Sequence, residues 1–154
     1  LMADTSLIED KIGILIWKTS NFWQGNIRKI LNPYNLSLNE YLVLKSIDYL
    51  LSNKENIYQK EIVKLIGIDV TVTSVTLKLL EKKEYILRET MHDNRKKNIK
   101  FLQKGEKLFN IVNPLVEKEE ESIFNKLNNE SFNFINSLKL LLGKKIRIKV
   151  KQKN

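Results

Sequence analysis

The chain has no cysteine and one histidine, His92, among its 154 residues. Without thiols there is no disulfide, no thiolate metal site and no cysteine nucleophile or oxidation sensor. A single imidazole cannot build a multi-histidine zinc site. Glycine occurs only five times, with no Gly-rich phosphate loop. No run of eighteen apolar residues exists. The longest candidate, Ile12 to Trp17, is broken by Gly13 and ended by Lys18. The N-terminus carries Asp4, Glu9 and Asp10, where a signal peptide would have a basic start and an apolar body. The expectation is a cytoplasmic protein with no membrane span and no cofactor. No nucleophile–base pair or pair of catalytic carboxylates accompanies these absences, so an enzyme is not expected.

What is present is a globular composition, 42% hydrophobic, with a formal charge of +9. The charge is unevenly spread. Residues 1–53 are neutral, residues 54–107 carry +5, residues 108–142 carry −2, and the last twelve residues carry +6. Basic tails are often merely solvated. The central +5 is more informative, because it falls on the segment with the clearest pattern.

Apolar residues at Ile8, Ile12, Leu15/Ile16, Trp23, Ile27 and Ile30/Leu31 recur at steps of three and four, predicting one helix over 7–32 that Pro33 stops. The stripe is long for one small domain, which suggests packing on a second subunit. Ser37 and Glu40 form the Ser-x-x-Glu capping box of a second helix with Tyr41, Leu44, Ile47 and Leu51 on one face. A short helix follows over 59–66, with Ile62, Leu65 and Ile66 inward and Gly67 as its cap. The next helix, about 70–83, buries Thr73, Thr76, Leu77 and Leu80, and turns Thr71, Ser74, Val75 and Lys78 outward. Helix, short turn, helix with small polar groups outward is the helix-turn-helix pattern. Four threonines and serines within residues 71–76 are poor helix formers; contact with DNA would account for them, and so would capping preferences alone.

Strand-like runs at 85–89 and 98–102 flank a polar loop, Met91 to Lys97, in which His92 is expected to be a solvated residue. Two helices follow, about 103–125 with Pro114 as a kink or a first-turn residue, and 130–142, ended by Gly143. The basic tail at 143–154 is expected to be disordered. The fold class is mainly α with a small β-hairpin wing.

This order resembles the MarR/SlyA family of bacterial winged-helix regulators. Leu38-Asn39-Glu40-Tyr41-Leu42-Val43-Leu44 looks like the opening of the family's second helix, and Gln59-Lys60-Glu61-Ile62-Val63 like its first helix-turn-helix element. Leu80 to Arg88 is similar to the recognition-helix end and first wing strand. Asp93-Asn94-Arg95-Lys96-Lys97 matches the wing signature, and Leu102-Gln103-Lys104-Gly105-Glu106 the start of the following helix. Two positions depart from the family: Glu84 stands where glycine is usual, so the turn into the wing is expected to differ, and Val75 where a longer polar or basic residue is common.

The resemblance implies a homodimer on near-palindromic double-stranded DNA, acting as a transcriptional regulator and most often a repressor. It implies an N-terminal dimerisation helix over 1–36, a winged helix-turn-helix over 37–108 and C-terminal dimerisation helices over 109–142. Base-edge contacts would fall to Thr71, Thr73, Ser74, Val75 and Lys78, with Val75 touching a thymine methyl. Backbone contacts would fall to Gln59, Lys60 and Lys64, with Arg95, Lys96 and Lys97 on the wing and Asp93 orienting Arg95. Members often release DNA on binding a small aromatic or phenolic effector. Trp17, Phe22, Trp23 and Tyr41 are the candidate lining, with plain core as their bland alternative. The rival reading is a winged-helix dimer that binds proteins without specific DNA binding. A third makes the tail an RNA or membrane anchor.

Overall fold

Helix α1 spans Ile12–Leu31 in a computed structural model that describes residues 11–92 and 95–146. It passes into a 3-10 turn, Asn32–Tyr34, with Pro33 at the start of that turn, and Asn35 closes it in the left-handed region at φ 52°. Ser37 then starts α2, Leu38–Leu51. Its hydroxyl accepts from the Glu40 amide, and the Glu40 carboxylate accepts from the Ser37 amide, both at 3.1 Å. These two bonds satisfy donors that a helix start would leave open. Helix α3, Gln59–Ile66, ends at Gly67, whose φ of 70° suits a residue without a Cβ. Helix α4, Val70–Lys82, follows after three residues. Strands β1, Ile86–Thr90, and β2, Lys97–Phe101, pair antiparallel, with Ile86 opposite Phe101 and Thr90 opposite Lys97.

Helix α5 covers Gln103–Phe124, and Pro114 lies in its interior. A 3-10 stretch, Asn125–Glu130, and helix α6, Ser131–Leu141, complete the order. The chain divides into two compact units, Leu1–Glu117 and Lys118–Asn154. In the first, Ile27 and Leu31 of α1, Tyr41, Leu44 and Ile47 of α2, Ile62 of α3, and Leu77 and Leu80 of α4 join one core with Ile86, Ile99 and Phe109. The C-terminal end of α1 is therefore part of the winged-helix core. Tyr41 stacks on Phe109 at 6.3 Å between ring centres, and its hydroxyl donates to Asn113 Oδ1 at 2.9 Å. In the second unit α6 has no buried residue, and Ile135, Leu138, Leu140 and Leu141 are exposed.

The turn between α4 and β1 keeps the shape that glycine usually serves. The Tyr85 amide bonds Leu80 O at 3.0 Å and the Glu84 amide bonds Glu81 O at 2.9 Å, which is the two-bond Schellman ending. Glu84 sits at its left-handed position with φ 60°. The expectation of a different turn is thus not met; the residue adopts a costly conformation instead, because its Cβ crowds the following carbonyl there. Glu84→Gly should stabilise the protein by about 0.5–1 kcal/mol, the relief of that crowding less glycine's larger unfolded-state entropy. A urea midpoint that falls or stays put would contradict this.

One expectation about side-chain direction is corrected. Leu65 is exposed and not inward, because α3 is only two turns long and its inner face is already filled by Ile62. In α5, Ile111 and Leu115 face outward, while Phe109, Val112 and Val116 point to the core. Among the described residues no helix is long and apolar enough to cross a membrane, and no cluster of acids and histidine suits a metal ion.

Candidate nucleic-acid interface

Asp69 begins α4, its carboxylate accepting from the Thr71 and Val72 amides at 2.8 and 3.3 Å. A carboxylate at this end also matches the positive pole of the helix. With that start fixed, Thr73, Thr76, Leu77 and Leu80 are buried, and Thr71, Val75 and Lys78 face solvent with Ser74 half-buried beside them. Thr73 does not belong with the candidate DNA contacts. It is fully buried, and its hydroxyl donates to Asp69 O at 2.9 Å. Thr76 behaves the same way, donating to Val72 O at 2.7 Å. These two threonines satisfy their own helix's carbonyls inside the core, so only part of the Thr/Ser cluster is available to a ligand.

The wing is anchored by a buried amide that the sequence pattern does not single out. Asn98 is 1% exposed. Its Oδ1 accepts from the Ile57 amide at 3.0 Å, and its Nδ2 donates to Asn56 Oδ1 at 2.9 Å. The Ile99 amide then donates to Ile57 O at 3.0 Å. The residues leading into α3 are thereby tied to the second wing strand. A polar residue inside a strand that reads as half-buried was the available signal, since buried amides persist only where they are bonded.

Arg88 on β1 is the second such residue. Its Nη2 donates to the Glu81 carboxylate at 2.6 Å, joining the end of α4 to the wing. Its Nε is buried with no hydrogen-bond partner among the described residues. The guanidinium holds the Glu81 carboxyl below its ordinary value of 4.5, outweighing the opposing effect of burial. A carboxylate with a lowered folded value stabilises the fold fully above the unfolded value, near 4.5. That contribution disappears as pH falls through the lower folded value. Glu81→Gln should therefore flatten the loss of stability below about pH 4.5; an unaltered acid limb of the stability profile would show the pair to be inert.

These anchors bring cations together around one open cleft of about 290 Å³, lined by Tyr58, Gln59, Lys60, Arg88, Arg95, Lys96, Lys97 and Ile99. Lys96 Nζ lies 5.8 Å from the centre of the Tyr58 ring. Gln59 is half-buried and its amide reaches Val70 O at 3.4 Å, while Lys60 and Lys64 are exposed on α3. Asp93 and Asn94 lie outside the described residues, as do residues 147–154 of the basic tail. His92 is exposed.

The four aromatic candidates for an effector pocket are not gathered into this cleft. Tyr41 is 1% exposed, so it belongs to the core and is not a ligand wall. Trp23 packs partly against the same core, whereas Trp17 and Phe22 are exposed on α1.

Residues 36–97, from the approach to α2 through the first residue of β2, match the model of the MarR family. Over that segment the chain is similar to the MarR family. Its fold is a winged helix. A curated relative, the uncharacterized HTH-type transcriptional regulator YdcH of Bacillus subtilis (strain 168), is 26% identical over 131 residues, 84% of this chain and 88% of the relative. The fold is similar to that of S. aureus MepR in a DNA complex, with a TM-score of 0.77 at 19% identity over 88% of this chain and 96% of that one. It is also similar to the transcriptional repressor CouR bound to a 23-mer DNA duplex, with a TM-score of 0.78 at 17% identity over 94% of this chain and all of that one. CouR from Rhodococcus jostii RHA1 bound to p-coumaroyl-CoA gives 0.74 at 20% identity, over 92% and 97% of the two chains.

Proposed function

We propose that this protein is a MarR-family regulator that binds double-stranded DNA sequence-specifically as a homodimer and represses transcription from a near-palindromic operator. The observation that carries the reading is the cation-lined cleft where the wing meets the start of α3, whose Gln59 also reaches the Val70 carbonyl at the start of α4. Phosphate oxygens are acceptors with a negative charge, so Lys60, Lys64, Arg95, Lys96 and Lys97 are suited to position the duplex. Thr71, Ser74, Val75 and Lys78 then meet base edges in the major groove. DNA-bound relatives of the same fold support this assignment.

The homodimer is supported by apolar surface that the single chain leaves uncovered. Ile12, Leu15, Ile16 and Trp17 on α1 are exposed, as are Ile135, Leu138 and Leu141 on α6. A two-fold pair would cover such faces and set two recognition helices about one helical turn apart on DNA. An aromatic or phenolic effector remains part of the proposal, with Trp17, Phe22 and Trp23 as its candidate contacts and Tyr41 withdrawn. The CouR complex with p-coumaroyl-CoA supports it. Genomic fragments captured by the full chain should share one two-fold symmetric sequence, and light scattering should give twice the 18.1 kDa chain mass. A dimer whose captured fragments share no sequence would favour the protein-interaction alternative.

A further inference from the structure

The outward face of α4 is poor in the side chains that usually read bases in pairs of hydrogen bonds. The helix, Val70–Lys82, contains no arginine, asparagine or glutamine, and of the residues that grip guanine or adenine bidentately in the major groove its exposed face offers only Lys78. Its one carboxylate, Glu81, is engaged by Arg88. Thr73 and Thr76 have turned their hydroxyls to the helix's own carbonyls. What the helix offers instead is apolar. Val75 is 52% exposed, Leu79 45% and Val72 39%, although each stands on a helix flanked by lysines. Residues 72, 75 and 79 follow the i, i+3, i+7 spacing of one helical face. Exposed branched side chains on such a helix need a partner of matching chemistry, and the major groove presents one apolar group, the C5-methyl of thymine.

Resting on the DNA-binding reading above, we infer that Val72, Val75 and Leu79 form a methyl-reading strip, and that operator specificity lies mainly in thymines at the centre of each half-site. Lys78, the long donor in the middle of the exposed face, is left to read a single guanine or a nearby phosphate. Thr71 and Ser74 supply short, less selective hydrogen bonds. The class of preferred ligand is therefore duplex DNA whose half-sites are rich in A·T pairs with thymine methyls facing the helix.

The test begins with selection of tight-binding duplexes from a random pool by the full-length protein, followed by resynthesis of the winner with deoxyuridine in place of thymidine. Uracil removes the methyl and keeps every hydrogen-bonding group. Wild-type affinity should fall about fourfold per contacted methyl, the effect of withdrawing one methyl-sized group from apolar contact, and so at least tenfold over two half-sites. The Val72→Ala, Val75→Ala, Leu79→Ala triple variant, altered only at exposed positions, should bind the two duplexes within about twofold of each other. Equal wild-type binding to both duplexes, with unrelated duplex still rejected, would overturn the methyl strip and leave DNA reading intact. An equal loss for wild type and variant would also overturn it, by placing the effect in the duplex itself. If no sequence is enriched from the pool, the DNA-binding reading itself fails, and the strip with it.

Discussion

Gly105→Ala should cost about 3 kcal/mol of stability and lower the melting temperature by roughly 10 °C. Gly105 is buried at the start of α5, directly against the root of the wing. A Cβ there would stand 2.1 Å from Tyr85 O and 2.7 Å from the Tyr85 carbonyl carbon and Cα. All three are backbone atoms, so no side chain can swing aside. Tyr85 O already accepts from the Leu102 amide at 3.0 Å, closing the hairpin onto the helix. Making room would break that bond or move the whole turn, and the helix-forming advantage of alanine offsets only about 1 kcal/mol. The loss is large against the roughly 5–15 kcal/mol that holds a typical domain together. Gly25→Ala supplies the contrast. Nothing lies within 4 Å of a Cβ at Gly25 in α1, so the same change should leave the isolated fold unharmed or raise its stability by up to about 1 kcal/mol. If the two variants unfold at the same urea concentration, the close approach at Tyr85 is wrong.

The second large effect concerns the wing. Arg95→Ala, Lys96→Ala and Lys97→Ala together should weaken binding to duplex DNA about a hundredfold near 0.15 M salt, roughly 2.7 kcal/mol. All three side chains are exposed and line the same cleft as Lys60. Each phosphate that the wing no longer neutralises should reduce the slope of log affinity against log salt by about 0.9. A dimer in which each wing lets go of between one and three phosphates should show a slope shallower by about two to five. The weakening should be similar for operator and for random duplex, because phosphates carry no base identity. An unchanged salt slope would remove the wing from the interface. A weakening confined to operator DNA would move these residues from the backbone to the bases.

The features legible in the sequence were those set by near neighbours along the chain. The Ser37–Glu40 capping box and the Gly67 cap each depend on residues within one helical turn, and both occur where the pattern predicts. The hairpin lies within a residue of its expected limits. The candidate site was less legible, because exposure and bonding there depend on distant partners. The spacing predicts the burial of Thr73 and Thr76, but it does not show that this burial, with the hydroxyls bonded to their own helix, takes Thr73 out of the candidate DNA contacts. Tyr41 resembles a pocket aromatic, but Asn113, 72 residues on, receives its hydroxyl. Asn98 needs Asn56 and Ile57, some 41 residues earlier, before its amide has a purpose. Glu84 misled for another reason: the turn's shape is fixed by the elements on either side, and the residue conforms at a local cost.

The buried Asn98 amide bears on how this wing can change over evolution. Hairpins with short, defined turns depend on the turn to set which residues face one another. Here the connection from Met91 to Lys96 contains no Asn-Gly or Asp-Gly turn, and strand alignment is held from the opposite side by Asn56 and Ile57. Sliding β2 by one residue would strand that amide without its partners and put Lys97 or Ile99 in its place. The loop is thereby relieved of a structural duty. Insertions or new cations at the tip should be tolerated at little expense in loop-closure entropy, letting the tip diversify while the hairpin beneath it stays in phase.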